Sequence, residues 1–157
     1  MGLNCSRCSL QSCKEEPGTA RYPKFCPMAG GDEDALRVAR DRYEDPETRR
    51  LAVASAQTES AGYCVWRRVQ EIMDFAQRID AQSLGIAHCV GLAQEARLLQ
   101  AILEANGFEA HSICCKVGTI PKEDVGLQDA DKIQPGTFEP LCNPVGQAEM
   151  LKQVGPS

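Results

Sequence analysis

The sequence predicts an α/β protein in which a cysteine-rich metal knuckle and helices precede a Rossmann-like βαβ parallel sheet. Three observations carry this. Four cysteines, Cys5, Cys8, Cys13 and Cys26, crowd a segment too poor in apolar residues to bury a core of its own. A 3–4 apolar rhythm runs from Leu51 to Ile79. Two short apolar runs, Leu84 to Cys89 and Glu109 to Cys115, flank an amphipathic stretch. Strand, helix, strand at that spacing is a parallel unit.

The elements follow in order. Residues 1–30 form the cysteine-rich segment, closed by Pro27-Met28-Ala29-Gly30-Gly31 as a boundary, and residues 31–157 form one compact helical and βαβ unit. A helix is expected from about Asp34 to Tyr43, with Leu36, Ala39 and Tyr43 at helical spacing. Asp45-Pro46 then supplies an N-cap with proline at the first helical position. Leu51, Ala54, Thr58, Ala61, Val65, Ile72, Phe75 and Ile79 continue as one long helix, or two with a break near Gly62. This stripe, with Cys64 inside it, reads as a packing face. Leu92 to Asn106 forms the crossover helix, with Gly107 as its stop. Lys116 to Leu141 is a long loop punctuated by Gly and Pro, and loops of that length carry function or disorder. Asn143-Pro144 caps a last helix that runs to about Gln153.

Parallel sheets ordinarily have more than two strands, with both faces covered. The chain reaches Gly155-Pro156-Ser157 where a third parallel strand should begin. Truncation is the expected reason; a strand hidden in the loop, or a second chain completing the sheet as an oligomer, are the alternatives.

Composition bounds the function. The chain has 157 residues, 43% of them hydrophobic and 25% charged, which suits a soluble domain with a real core. A net charge of −5 with only 5% aromatic residues argues against nucleic acid as a partner. No apolar run has the length of a membrane span or a secretory core, so no membrane role is expected and the location should be cytoplasmic. Nine cysteines in a reducing compartment are ligands, catalysts or buried fillers rather than disulfides. Met1-Gly2-Leu3-Asn4-Cys5-Ser6 also fits the loose myristoylation pattern, but Cys5 is better explained as a ligand.

Cys5, Cys8, Cys13 and Cys26 read Cys-x2-Cys-x4-Cys-x12-Cys, four thiolates for a tetrahedral zinc or an iron–sulfur cluster. Zinc stands ahead of the cluster, because this spacing is not that of bacterial ferredoxins. A metal ion is therefore the expected partner. Cys89, Cys115 and Cys142 form a second candidate set. Ligands in open α/β sheets collect at the carboxyl ends of strands, beside helix N-termini. Cys89 and Cys115 fall at strand ends and Cys142 just before a helix start, so together they could bind a soft metal, a cofactor or a small-molecule ligand. Cys114 should face the opposite side from Cys115. His88 more simply satisfies a local hydrogen bond, and His111 has no assigned role. Glu95, Lys116, Lys122 and Glu139 read as solvated or capping groups, although a lysine beside a thiol can lower its pKa.

These residues resemble a bacterial and archaeal family, domain of unknown function 1847, described as uncharacterised metal-binding proteins. The matching stretches are Cys5, Cys8, Cys13 and Cys26-Pro27, then Gly62-Tyr63 with Trp66-Arg67. They continue with Gly85-Ile86-Ala87-His88-Cys89-Val90-Gly91-Leu92 and Glu95-Ala96, with Cys115-Lys116-Val117-Gly118, and with Phe138-Glu139-Pro140-Leu141-Cys142-Asn143-Pro144. The resemblance implies a cysteine-rich metal-binding protein with no established reaction. It also implies a longer C-terminus, adding a strand that ends in a further cysteine. The rival functions are a thiol-dependent redox or transferase enzyme using Cys89 or Cys142, and a truncated non-catalytic fragment.

Overall fold

A computed structural model describes residues 4–16, 18–29 and 33–155. The myristoylation pattern at Met1 to Leu3, the Gly30-Gly31 linker and the terminal Pro156-Ser157 lie outside the described residues. The chain divides into two compact units, Met1–Val53 and Ala54–Ser157. The division falls inside a helix.

In the first unit the cysteine-rich segment is built from 3₁₀ turns, Cys5–Arg7, Ser12–Lys14 and Pro27–Ala29, joined by irregular chain. Helix α1 spans Glu33–Arg42, and its described side chains are exposed. Helix α2 spans Pro46–Gly62 and starts as its sequence requires. The Asp45 carboxylate accepts the Thr48 backbone N–H at 2.8 Å, and Pro46 occupies the first turn, where its missing N–H costs nothing.

The second unit holds the end of α2, then α3 (Arg68–Arg78), β1 (Ser83–His88), α4 (Ala93–Ala105), β2 (Glu109–Cys114) and α5 (Pro144–Val154). The stripe from Leu51 to Ile79 is therefore two helices. Cys64 adopts a left-handed backbone, φ 56°, in the turn between them. That turn breaks the helical phase, so Cys64 is exposed rather than in the core expected for it, and Val65 is 79% exposed. Gly62 closes α2 because the Trp66 ring folds over it: a Cβ there would sit 2.4 Å from the ring. Across the turn, Thr58 Oγ1 and Arg78 Nε donate to the Asp74 carboxylate at 2.7 and 2.6 Å and tie α2 to α3.

β1 and β2 pair in parallel, from Ser83 opposite Glu109 to His88 opposite Cys114, with α4 as the crossover. The α/β expectation thus holds in its coarse form, with a two-stranded sheet among the described residues. The core is small: Ala76, Ala81, Leu103, Phe108 and Ala110 are buried, with Met73, Ile79, Leu84, Ile86 and Leu99 packed against them. The small alanines let α3 and α4 approach the sheet, and Leu103 fills the centre. α5 crosses the strands, and Gly85 leaves room for Leu151, whose side chain lies 3.1 Å from where a Cβ would be.

The loop after β2 hides no third strand; it contributes one antiparallel bridge, Pro121 to Pro140. Ion pairs shape it instead. Lys122 pairs with Glu139, both largely buried, and Lys132, 6% exposed, pairs with Glu123 and Asp129 while donating to Thr137 O at 2.8 Å. Lys122 and Glu139 are thus loop fasteners rather than solvated groups. No described helix is long and apolar enough to cross a membrane.

Candidate functional sites: two groups of thiols

Cys5, Cys8, Cys13 and Cys26 all line one cavity of about 180 Å³ within the first unit. Local turns place them. Cys8 N–H donates to Cys5 O at 3.0 Å, which curls the first pair around a 3₁₀ turn. Gln11 takes a left-handed backbone, φ 51°, and redirects the chain into the turn that carries Cys13. Cys26 returns through a turn closed by its N–H on Pro23 O at 2.8 Å. Tyr22, Phe25 and Met28 supply the apolar part of the lining. Cys5 and Cys13 are exposed, Cys8 and Cys26 half-buried. As the side chains stand, no three His, Cys, Asp or Glu among the described residues are arranged to hold a metal ion.

Four soft donors around one small, mostly apolar cavity are the donor set that a thiolate metal centre needs. A single zinc takes four such thiolates at a Zn–S distance of about 2.3 Å, and an iron–sulfur cluster takes the same four donors with inorganic sulfide of its own.

The second group lies in the second unit, where strand ends meet a helix start. Cys89 directly follows β1, Cys115 directly follows β2, and Cys142 precedes the N-cap of α5. Backbone bonds lock these three segments together: Cys115 N–H donates to His88 O at 2.8 Å, and Asn143 N–H donates to Cys115 O at 2.7 Å. Gln147, buried on α5, donates through Nε2 to His88 O at 3.0 Å and to Ile113 O at 2.9 Å. Asn143 caps α5 by accepting Gly146 N–H at 2.8 Å, and its amide donates to Val117 O.

The Cys89 and Cys142 thiols lie near enough to Cys115 to act on its proton. The Val90 N–H, donating to Cys115 Sγ at 3.4 Å, favours its thiolate. Burial and the neighbouring Cys142 and Cys89 thiols outweigh that donor and push the Cys115 thiol up. Cys142 and Cys89 are exposed while Cys115 is buried. Lys116 Nζ donates to Pro140 O at 2.6 Å and reaches Cys142 Sγ at 3.5 Å.

The remaining candidates separate cleanly. The Cys114 sulfur accepts the Lys116 backbone N–H at 3.4 Å. His88 Nδ1 lies 2.9 Å from Cys89 O, the local bond expected of it. His111 Nε2 lies 3.3 Å from Glu109 on β2, away from the thiols. Glu95 lies exposed in the first turn of α4. Cys64 lines a different cavity of about 560 Å³ between α2 and α3, with Glu59, Arg68 and Glu71. Sequence reasoning missed Gln147. Its signal was a polar residue one turn past the Asn143-Pro144 start, on the side of α5 that faces the sheet.

The family model "Protein of unknown function (DUF1847)" matches residues 26–156, and the chain belongs to that family. The chain is also 33% identical over 155 residues to the uncharacterized protein MJ0455 of Methanocaldococcus jannaschii, an alignment covering 98% of this chain and 71% of that protein. No solved structure matches significantly.

Proposed function

We propose that this chain is a metal-binding protein whose N-terminal Cys5, Cys8, Cys13 and Cys26 hold a thiolate-ligated zinc or iron–sulfur centre, with Cys89, Cys115 and Cys142 as a second thiolate-rich site. The observation that carries the first part is the single cavity lined by all four N-terminal cysteines. Such a centre supplies the cross-link that a segment without a core needs, and an iron–sulfur cluster would add one-electron chemistry. The described residues do the positioning: the Cys5–Arg7 and Ser12–Lys14 turns orient three thiols, and the Pro23 turn brings the fourth.

The second site fits a Rossmann-like reading of the βαβ unit, in which ligands gather at the carboxyl ends of the strands. A soft metal, a cofactor or a small molecule would meet Cys89, Cys115 and Cys142 there. A cytoplasmic location accords with free thiols at both sites.

The test of the first site is metal content after anaerobic purification. The intact chain should carry near-stoichiometric metal. Cys8→Ser combined with Cys26→Ser should lose most of it, while Cys64→Ser should keep it. Unchanged metal in the double variant would remove the N-terminal site.

A further inference from the structure

The edge of β2 that faces away from β1 carries backbone groups whose pairing can be read from the strand's parity. Glu109 N–H donates to Gln82 O and Cys115 N–H to His88 O, so the odd-numbered residues from Glu109 to Cys115 turn their backbone toward β1. Ala110, Ser112 and Cys114 turn theirs to the other edge. Two of those three carbonyls are already engaged. Ala110 O accepts Gln100 Nε2 at 3.1 Å, and Cys114 O accepts Val117 N–H at 3.1 Å. Of the three, Ser112 alone has neither its N–H nor its C=O bonded to any described residue.

This edge is open from both sides of the sheet. A groove of about 320 Å³ reaches around β2, lined by Gln100 and Ser112 and also by His111, Met150 and Val154. Ser112 Oγ donates to Gln100 of α4, which places it on the α4 face. His111 stands opposite Gly85, the residue that Leu151 of α5 covers, and so lies on the α5 face. A groove lined from both faces of one strand is a groove that the strand's edge enters. Met150 and Val154, both exposed and apolar, flank it from α5. β2 has none of the usual guards of an edge: it contains no proline or lysine, and its register runs without a bulge.

We infer that two copies of this chain pair through this edge, β2 against β2 in antiparallel about a two-fold axis at Ser112, making one four-stranded sheet.

The pattern of free groups selects a second copy as the occupant. One residue with both donor and acceptor open can pair with itself across a two-fold, Ser112 N–H of each copy donating to Ser112 O of the other. Ala110 N–H of one copy then meets Cys114 O of the other, and Cys114 N–H meets Ala110 O; each carbonyl has a second lone pair for the purpose. Residues set opposite share a face, so His111 of one copy meets Ile113 of the other, and Met150 and Val154 of both copies gather over that same face. No like charges are set opposite, since Glu109 falls against Cys115. The doubled sheet has helices on both faces and the strand count that a two-stranded sheet lacks. Because the two β2 strands run in opposite directions, the Cys89, Cys115 and Cys142 groups lie at opposite ends of it, and each remains the property of one chain.

The test is sedimentation equilibrium of the reduced full chain over a range of concentrations, with amide hydrogen exchange read at both ends of the range. The expected result is twice the mass of one chain at high concentration, with slowed exchange at the Ser112 and Cys114 amides that is lost on dilution. Ser112→Pro removes the outward N–H at an edge position where a strand accepts proline, and should give the mass of one chain with unchanged circular dichroism. Ser112→Ala keeps the backbone donor and should stay paired. Should the proline variant fold poorly, Met150→Lys combined with Val154→Lys, at two exposed positions of α5, should separate the copies instead. A mass of one chain at every concentration would overturn the inference, including the case in which the edge takes an extended segment of a different protein. A doubled mass that survives both the folded Ser112→Pro chain and the α5 double variant, or that comes without protection at Ser112 and Cys114, would put the contact elsewhere and overturn it equally.

Discussion

Asp74 shows how much one carboxylate can hold. It accepts from Arg78 on its own helix and from Thr58 on the helix before, so α2 and α3 meet through it. The Arg78 guanidinium, and then the Thr58 hydroxyl, hold its carboxyl below the usual range. A carboxyl lowered in the folded state contributes stability that is complete above its unfolded pKa of about 3.9 and is lost as pH falls through the folded value. The chain should therefore melt at progressively lower temperature as pH drops below about 4. Asp74→Asn should blunt part of that slope and cost no more than about 1 kcal/mol at neutral pH, since the carboxylate is partly exposed. Melting curves across acidic pH check it; an unchanged slope in the variant would show that Asp74 carries none of the dependence. The thiols belong to the same scale. The positions of Cys89, Cys115 and Cys142 at strand and helix ends were legible from sequence, because those ends are marked by glycine, asparagine and proline. The Lys116 contact was not, since it depends on the loop bringing Pro140 back to β2.

At the scale of elements, the helices and strands were readable within a residue or two wherever an end carries its own signal: Asp45-Pro46, Gly107 and Asn143-Pro144 each mark a boundary through local backbone chemistry. The turn at Cys64 was harder. Its apolar neighbour Val65 continues the helical rhythm, and only the Trp66 ring lying on Gly62 shows why the helix ends there. The long loop was the least legible element. Its fasteners are ion pairs between residues that composition reads as solvated, and a charge reveals its partner only in three dimensions. Lys132 is the central one, its ammonium favoured by Glu123 and then Asp129. Lys132→Met should leave the βαβ unit folded yet make the segment from Lys122 to Thr137 severalfold more sensitive to limited proteolysis. Cleavage at the rate of the unaltered chain would mean that the loop is held by its backbone bonds alone.

Across the whole molecule, two compact units each carry their own group of cysteines. The first lacks a sizeable core among its described residues: the α1 side chains are exposed and the cysteine-rich segment is 3₁₀ turns. The second has a packed centre around Leu103. That contrast is the physical case for a metal at the N-terminus, where a cross-link offsets the missing burial. The four-cysteine spacing made the group visible in sequence. The cavity that all four line was not, because it depends on how Gln11 and Pro23 turn the chain.

The most direct measurement is elemental analysis for iron, zinc and acid-labile sulfide on the intact chain, purified anaerobically, with its visible spectrum taken on the same sample. The account predicts near-stoichiometric metal, either zinc without visible absorbance or iron with sulfide and a broad visible band. Either form would support the thiolate centre and identify the group it holds. A chain carrying neither metal would contradict the central claim.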